Sequence, residues 1–412
     1  MKVKKIFVLA GGSDQAAFIS YLRERFDSVE IILIDFAERV LASNYADRHL
    51  VISTLDEDAV LEAARNENID LILTACGDQT LPTMTYVSEK LGLPCYLTYE
   101  QSINLTNKLY MKRLMIKNNI PTSKFILLEN SNIDSDLQNF SYPLVVKPVD
   151  NNGSKGIIKV FKSEELKKAI EEAISFSKTK DVIIEEFREG PEFSIEAFIK
   201  EDGEPEILIE TELIKIRENT DKFTILQCNY PCFFSDKVRS DIKTIIKKIG
   251  LVFNIKNAPF MIQLIVKDES VNVIEFSART GGGSKYYMLK KLSGINIFEN
   301  LIDITLGVKP NIIVSPLNVY ASLNYVYTNP GVFCGLVNFD YLKYQKIIDE
   351  YFFYKQIGGV IQNAETSSQR PVGFFILDIS KKKLTEKLLC VNGHVKVLSE
   401  NKDDMMKHNL YN

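Results

Sequence analysis

The stretch that decides the fold of this chain is FMIQLIVKDESVNVIEFSARTGGG, residues 260–283. Two apolar runs flank the polar triplet Asp268-Glu269-Ser270, and this pattern predicts a β-hairpin. With the turn centred on Glu269, Gln263 and Glu275 are each six residues from the centre. Because antiparallel pairing follows that count, the pattern predicts that these two side chains lie opposite each other on one face.

Alternation along the second strand extends this polar face. Successive side chains of a strand point to opposite sides, so Ser277 and Arg279 are expected to join Glu275. The other side is expected to carry Ile274, Phe276 and Ala278. A solvated sheet face would also account for the polar residues, since charged side chains are mostly exposed. The glycines at 281–283 favour a ligand site, because they let backbone amides come close to a bound molecule beside a fixed arginine.

Composition limits the classes of protein to consider. A chain of 412 residues has room for two to four domains. Its formal net charge of -4 leaves no basic surplus for a nucleic-acid partner. Six scattered cysteines in so long a chain predict reduced thiols and a cytoplasmic protein. The apolar run near the start stops after five residues at Gly11, so neither export nor membrane insertion is expected.

Strands and helices alternate in the first hundred residues. Apolar strand patterns at 5–10, 31–34 and 71–75 are separated by helical segments, which predicts a parallel sheet with helices on its faces. Gly11-Gly12 and Asp35 invite comparison with a dinucleotide site. The full Gly-x-Gly-x-x-Gly spacing is missing, however, and this favours a Rossmann-like domain that does not bind a dinucleotide.

A polar loop between two strands is the next candidate for ligand binding. Lys147 ends the first strand, and the loop Asp150–Lys155 is closed by Gly156. A loop rich in Gly, Asn and Ser offers free amides to phosphate oxygens, and a lysine at the strand end adds a point charge. It is not a P-loop, because that spacing is absent. An ordinary hairpin with a loose turn remains the alternative at this segment.

Two further segments carry charged residues at fixed spacing. A helical stretch at 102–117 places Lys108 and Lys112 on one face. A strand beginning at Asp181 runs into Glu185-Glu186-Phe187-Arg188 and is broken at Gly190-Pro191. The break is expected to leave backbone donors and acceptors free for a flat heterocycle.

Taken together, these pieces resemble the ATP-grasp superfamily over about residues 1–310. The resemblance implies an α/β and α+β multidomain fold, with a Rossmann-like (pre-ATP-grasp) N-terminal domain at 1–100. It implies a two-lobed ATP-grasp domain at 101–310, with an ATP lid subdomain at about 115–185 and a metal and catalytic subdomain at about 186–310. Residues 311–412 resemble a small C-terminal α+β domain on the substrate side.

The resemblance also implies a role for each motif residue. ATP phosphates would be held by Lys108, Lys147, the loop residues Gly153 and Ser154, and more weakly Lys215. Adenine would lie against Glu185, Glu186, Phe187 and Arg188, and the ribose against Glu192. Metal ligands would be Glu275, Gln263 and Ser277. The acyl phosphate and the later tetrahedral intermediate would be held by Arg279, Gly281, Gly282 and Gly283. The catalytic group would be Arg279, Lys147 and Glu275.

Two positions depart from the family pattern. Gln263 stands where a Glu commonly binds the metal, and Ser277 stands where Asn is usual. Both keep oxygen atoms for a hard cation, but one negative charge is lost. The number of ions, one or two Mg²⁺ with Mn²⁺ as an alternative, is therefore open.

Among ATP-grasp proteins the chain most resembles the L-amino-acid ligases. That resemblance implies a ligase that uses ATP and Mg²⁺ to join a small carboxylic acid to an amine, both expected to be amino acids, and it implies a homodimer. Two alternatives stay open. One is an ATP-grasp carboxylase or carrier-acylating ligase, and the other is a degenerate nucleotide-binding module without chemistry.

Overall fold

The computed structural model describes residues 3–128, 137–150, 156–177, 179–216, 223–362 and 366–411. Three main sheets of four, eight and four strands organise this part of the chain. The mixed α/β and α+β multidomain architecture expected from the sequence is confirmed. No helix among the described residues is both long and apolar enough to cross a membrane.

The N-terminal sheet is parallel, as the sequence predicts, with strand order β3-β2-β1-β4. Its central strands are apolar along their length and buried on both faces, as parallel strands covered by helices are. The elements are β1 (Lys5–Leu9), α1 (Ser13–Arg25), β2 (Glu30–Asp35), β3 (Arg48–Val51), α2 (Glu57–Glu67), β4 (Leu71–Leu73) and α3 (Leu81–Leu91).

The turn after β1 is closed by the chain itself. The Asp35 carboxylate accepts hydrogen bonds from the N–H of Gly11 at 2.8 Å and of Ala37 at 2.9 Å. A Cβ on Gly11 would lie 2.2 Å from the Val40 side chain, so this position requires glycine. Gly11 and Asp35 therefore hold the first turn of the domain together.

Two helices lead from this domain into the lid, α4 (Tyr99–Thr106) and α5 (Lys108–Lys117). The lid is a four-stranded antiparallel sheet of order β5-β8-β6-β7. Its own apolar core packs the sheet against one amphipathic helix. The elements are β5 (Phe125–Leu127), β6 (Leu144–Pro148), β7 (Ile158–Val160), α6 (Ser163–Phe176) and β8 (Val182–Glu186).

The largest sheet has the order β13-β12-β9-β10-β11-β14-β19-β17. Its first five strands and the helices around it are β9 (Glu192–Ile199), β10 (Pro205–Lys215), β11 (Ile225–Tyr230), α7 (Asp236–Val252), β12 (Ala258–Lys267), β13 (Ser270–Ser277), α8 (Lys285–Ser293) and α9 (Ile297–Thr305).

The last hundred residues continue this sheet. They form β14 (Tyr320–Tyr325), β15 (Gly331–Val332), β16 (Gly335–Val337), α10 (Phe339–Tyr344), β17 (Glu350–Phe353), β18 (Val360–Ile361), β19 (Val372–Asp378), α11 (Lys381–His394) and β20 (Lys396–Leu398). Because β14 pairs directly with β11, the sheet runs across the domain boundary predicted at residue 310. One apolar core joins this region to the N-terminal sheet.

The β12–β13 hairpin pairs Gln263 with Glu275, as predicted, but by a different route. The turn has two residues, Asp268 and Glu269, both with positive φ, between the paired Lys267 and Ser270. A regular ladder from that turn would put Gln263 opposite Ile274. A β-bulge at Ile274 shifts the register by one residue and restores the pair.

The bulge corrects one prediction. Ile274 was expected to point away from Glu275, yet both residues line the same cavity. In a bulge two consecutive residues oppose a single partner, and alternation fails locally. Phe276 and Ala278, beyond the bulge, are buried in the core as expected.

The hairpin turn yields a prediction about stability. Glu269 has φ +60, a left-handed conformation that costs a residue with a Cβ about 1 kcal/mol or more. Glu269→Gly should therefore raise the free energy of unfolding by up to about 1 kcal/mol and the unfolding midpoint by about 2 °C. Glu201→Gly is the control, because Glu201 is an exposed turn residue without a positive φ. Equal effects of the two changes, measured by calorimetry, would contradict the argument.

Candidate functional site

A cavity of about 900 Å³ lies where the lid sheet, the eight-stranded sheet and the N-terminal sheet meet. It brings together most of the predicted site residues: Lys108, Lys147, Glu185, Glu186, Phe187, Arg188, Glu192, Lys215, Gln263, Glu275, Arg279, Gly281, Gly282 and Gly283. Gly153 and Ser154 lie outside the described residues. Ser277 is described but does not line the cavity.

A buried cluster of lysines around Glu185 forms one wall. The Glu185 carboxylate lies 2.6 Å from Lys147 Nζ and 3.0 Å from Lys112 Nζ. All three side chains are buried, and Lys112 also donates to the Thr122 hydroxyl at 2.6 Å. This corrects the prediction for Glu185, whose backbone lies inside the ladder between Phe125 and Val145. The side chain of Glu185, rather than its backbone, faces the site, where it pairs with Lys112 and Lys147.

Burial and charge set the pKa values in this cluster. Burial would raise the pKa of Glu185, but Lys112 and Lys147 outweigh burial and lower it. Burial lowers the pKa of Lys112 to about 8, against the opposing effect of Glu185. Burial likewise lowers the pKa of Lys108, with Glu275 acting in the opposite direction. Three ammonium groups are thus held close together at a cost in desolvation.

The segment after β8 forms a flat wall beside this cluster. The N–H groups of Glu186 and Phe187 donate to the carbonyls of Lys124 and Pro143, both at 3.0 Å. No acceptor for the Arg188 N–H is found among the described residues. The Phe187 ring lies 6.3 Å from the Phe223 ring and 3.6 Å from Lys159 Nζ. A planar aromatic surface and an available backbone donor suit a heterocycle.

Glu192 and Lys215 occupy the cavity wall next to these rings. Lys215 forms an ion pair with Glu192, and its ammonium group lies 4.6 Å from the centre of the Phe223 ring. The two side chains that the sequence assigns to the ribose and to a phosphate are therefore neighbours and hold each other in place.

The predicted metal ligands divide into two groups. Gln263 and Glu275 are paired across β12 and β13 and face the cavity together. Ser277 is only 1% exposed and does not line the cavity, so the structure does not bring it to the cavity with the other two predicted ligands.

The remaining donor set fits one hard cation. Mg²⁺ usually takes one or two carboxylates, several waters and substrate phosphates rather than a protein cage. Glu275 supplies a carboxylate and Gln263 an amide oxygen. In the described part of the chain no group of three or more His, Cys, Asp or Glu side chains could hold an ion by itself. An ion here would therefore need phosphate oxygens as well.

Arg279 is held by the carboxylate of Asp78, which the sequence did not identify as part of the site. Its Nε and Nη2 donate to the two oxygens of Asp78 at 2.6 and 2.5 Å, which is a bidentate ion pair. Burial would raise the pKa of Asp78, but Arg279 outweighs burial and lowers it. The two residues are 201 positions apart, and no local pattern links them.

The glycine loop after Arg279 is also tied to the protein by hydrogen bonds, which corrects the prediction for its backbone amides. The Gly281 N–H donates to Glu196 at 2.9 Å, and the Gly283 and Ser284 N–H groups donate to Asp14 at 2.9 and 2.8 Å. The amides of Gly281 and Gly283 are therefore not available to a reaction intermediate. The glycines still allow close packing, because a Cβ on Gly281 would lie 2.4 Å from Glu196.

Lys112 was placed beside Lys108 from the sequence but given no role, and five further residues in or beside the site were not assigned to it: Asp14, Asp78, Glu196, Lys285 and Arg370. Glu196 alternates with Glu192 and Ser194 along β9, so period-two alternation could have identified it. Its pKa is raised by burial, against the influence of nearby Lys285. Lys285 is buried and donates to the Thr211 hydroxyl at 2.5 Å. For the others, the local sequence carries no signal beyond the residue type.

Comparison with known proteins agrees with this geometry. Residues 140–286 match a family model described as an ATP-grasp domain. The phosphoribosylamine–glycine ligase of Lactococcus lactis subsp. lactis (strain IL1403) is 26% identical over 272 residues, 63% of this chain and 65% of that one. The chain thus spans a little less than two thirds of the length of this curated relative.

Two solved structures share the fold over nearly the whole chain. The L-amino acid ligase from Bacillus licheniformis superposes with a TM-score of 0.78 at 20% identity, covering 97% of this chain and 100% of that one. The biotin carboxylase domain of the Hydrogenobacter thermophilus 2-oxoglutarate carboxylase has a TM-score of 0.77 at 14% identity, covering 99% and 92%. That structure contains MgADP and bicarbonate.

The matched residues include three strands of the lid sheet and Lys147, Glu275 and Arg279 of the cavity, so this part of the chain is similar to an ATP-grasp domain. Enzymes with that domain use ATP with Mg²⁺.

The Lys112–Glu185 pair leads to a prediction about pH. The unfolded lysine has a pKa of about 10.4, whereas that of folded Lys112 is about 8. Between pH 8 and about 10.4 the unfolded chain binds more protons than the folded protein does. The free energy of unfolding therefore rises with pH in this range, and the gain is lost as pH falls through 8. Relative to Lys112→Met, the wild-type free energy of unfolding should increase by about 2 kcal/mol from pH 7.5 to 9.5.

Urea unfolding at a series of pH values measures this difference. The variant retains the Lys147–Glu185 pair, so the carboxylate is not left alone. Lys382→Met is the control, because that side chain is 87% exposed. A constant offset between wild type and Lys112→Met across this range would show that Lys112 does not carry the depressed pKa.

Proposed function

We propose that this protein is an ATP-dependent, ADP-forming ligase that joins a small carboxylic acid to an amine, and that both substrates are amino acids. The observation that carries the proposal is the single cavity that gathers Lys108, Lys147, Glu275 and Arg279 from different elements. The similarity to a phosphoribosylamine–glycine ligase and to an L-amino acid ligase supports the same class of reaction.

The charges of the cavity suit a nucleoside triphosphate. Lys108, Lys112 and Lys147 lie on the lid side, where Glu185 and Glu275 are the opposing carboxylates. These ammonium groups would attract phosphate oxygens. The heterocycle would lie against Phe187 and accept from the Arg188 N–H, and the ribose would lie near Glu192.

Glu275 and Gln263 would hold a Mg²⁺ ion together with the phosphates. When bound, the ion would neutralise charge on the transferring phosphoryl group. Side chains of the protein would orient the phosphates and contact the acyl group. Lys147 and Lys108 would orient the phosphates, and Arg279, fixed by Asp78, would face the acyl group without moving.

The reaction would proceed in two steps. An oxygen of the substrate carboxylate attacks the γ-phosphorus of ATP, the bond to the β-phosphate oxygen breaks, and ADP leaves. The amine then attacks the acyl phosphate carbon, phosphate leaves and the amine loses a proton. No nucleophilic side chain is required, because the protein acts by positioning and charge stabilisation.

Phosphate release from ATP and Mg²⁺ tests the proposal directly. Each of the twenty amino acids would be supplied singly and in pairs, with mass spectrometry of the products. Release that depends on particular pairs, with a product of the condensed mass, is expected. Release that requires bicarbonate alone would favour the carboxylase alternative, which the likeness to a biotin carboxylase domain supports. ATP binding without any ADP formation would favour the nucleotide-binding module.

Lys147→Ala and Glu275→Gln should each reduce ADP formation about 100-fold or more, because each removes a charge aimed at the phosphoryl group. Both variants should stay folded. In Lys147→Ala, Glu185 keeps Lys112 as its partner, and Glu275→Gln preserves side-chain shape. Lys382→Ala and Glu400→Gln, both at exposed positions, are the matched controls. Wild-type turnover in either site variant, with unchanged circular dichroism, would refute these roles.

A further inference from the structure

Arg370 is a cation of the cavity wall that forms no ion pair with a carboxylate of the described residues. It lies between a short 3-10 turn at Ser367–Gln369 and the strand β19. Its guanidinium carbon is 3.8 Å from the centre of the Tyr325 ring and 4.4 Å from that of Tyr354. Its Nε is shielded from solvent and has no hydrogen-bond partner.

The other cations nearby contrast with Arg370. Arg279 is paired with Asp78, and Lys147 with Glu185. Lys285 donates to Thr211 and lies near Glu196. For Arg370, no carboxylate oxygen of the described residues lies within 4.0 Å. Its neighbours are the neutral hydroxyls of Tyr325, Tyr327 and Tyr354, and Asp14 at longer range.

Arg370 is also fixed in position against the glycine loop. A Cβ on Gly283 would lie 2.6 Å from an Arg370 Nη atom. The hydroxyls of Tyr325 and Tyr354 both donate to the Gly283 carbonyl, at 3.0 and 3.1 Å. The two rings that contact the guanidinium thus also hold the loop that follows Arg279. The guanidinium is therefore held in place before any ligand binds.

A half-buried guanidinium with no carboxylate among its described neighbours is costly for a protein to maintain. Contacts with aromatic faces compensate for this cost only in part. The guanidinium cannot lose its proton to relieve the cost. An anion supplied by a ligand would relieve it, and a planar guanidinium fork matches a carboxylate in a bidentate manner.

We infer that Arg370 binds the carboxylate of the amine-bearing substrate, so that the enzyme selects amino acids over simple amines. This inference rests on the proposed ligase function. The carboxylate that is activated must meet the phosphates, near Lys108 and Lys147. Neither lysine is among the groups that surround Arg370. A carboxylate at Arg370 would therefore be a spectator that orients the amine toward the acyl phosphate.

The first test compares matched acceptors in the wild-type enzyme. L-alanine, L-alaninamide and ethylamine carry the same amine with and without a free carboxylate. The corresponding set would be used for whichever amino acid is active in the phosphate-release panel. The KM of the free amino acid should be tens of times lower than that of its amide. Equal use of the amide and the amino acid would overturn the inference while leaving the ligase function intact.

The second test removes the charge. Arg370→Met keeps side-chain bulk against the two rings, and it should raise the KM of the amino acid about 30-fold or more. The KM of ATP and of the amide should change less than about threefold. Arg370→Lys should recover part of the loss. Arg65→Met, an exposed arginine of α2, is the control. Retention of the wild-type preference for the free acid in a folded Arg370→Met would also overturn the inference.

A binding measurement separates this inference from the proposed function. The midpoint of thermal unfolding would be recorded with ATP, Mg²⁺ and each acceptor, whether or not turnover occurs. The free amino acid should raise the unfolding midpoint of the wild type by about a degree or more and leave the midpoint of Arg370→Met unchanged. The amide should leave the midpoints of both proteins unchanged. Failure of every amino acid to turn over would refute the ligase proposal. Absence of a carboxylate-dependent shift would refute the role of Arg370.

Discussion

The structure depends on one constraint: cations that must face an anionic substrate have to be held in place before it arrives. A buried ammonium or guanidinium group is costly without a partner, and a flexible one positions poorly. The chain meets the constraint for Lys112, Lys147 and Arg279 by pairing them with carboxylates from other elements. Glu185 on β8 holds Lys112 on α5 and Lys147 on β6, and Asp78, from the loop after β4, holds Arg279.

These pairs also connect the units of the molecule. The Asp78–Arg279 pair joins the N-terminal sheet to the end of β13, and the two bonds from Asp14 to the glycine loop join the same units again. Removing one member of a buried pair typically costs 3–5 kcal/mol, roughly, because the other charge is left alone. The interactions that fix Arg279 and the glycine loop therefore also hold the N-terminal sheet against the end of β13.

The sequence predicted the parts of this site that local periodicity encodes. Alternation of strands and helices predicted the parallel N-terminal sheet, and the family resemblance implied the cavity positions of Lys108, Lys147 and Arg279. The Gln263–Glu275 pair was predicted correctly, although it depends on a two-residue turn and a bulge that alternation does not reveal. The bulge was not predictable, because alternation assumes a regular ladder, and it brings Ile274 to the cavity.

Contacts between distant segments were the other class that the sequence could not supply. Asp14 lies 269 positions from Gly283, and Asp78 lies 201 from Arg279. An acidic residue in a loop after a strand has many uses, and only the fold decides which donor it meets. The glycine run shows the same limit. It suggested free amides, whereas the structure gives two of the three amides to the carboxylates of Glu196 and Asp14.

The continuous eight-stranded sheet explains how the last hundred residues reach the site. Strand β14 pairs with β11 on one side and β19 on the other, so Tyr325 and Arg370 meet at the same edge of the cavity. On the side of the cavity built from segments before residue 310, Lys112, Lys147 and Arg279 are paired with carboxylates. On the opposite side, Arg370 forms no ion pair with a carboxylate of the described residues. In the proposed reaction this difference suits a metal-bound triphosphate at one end and an organic anion at the other.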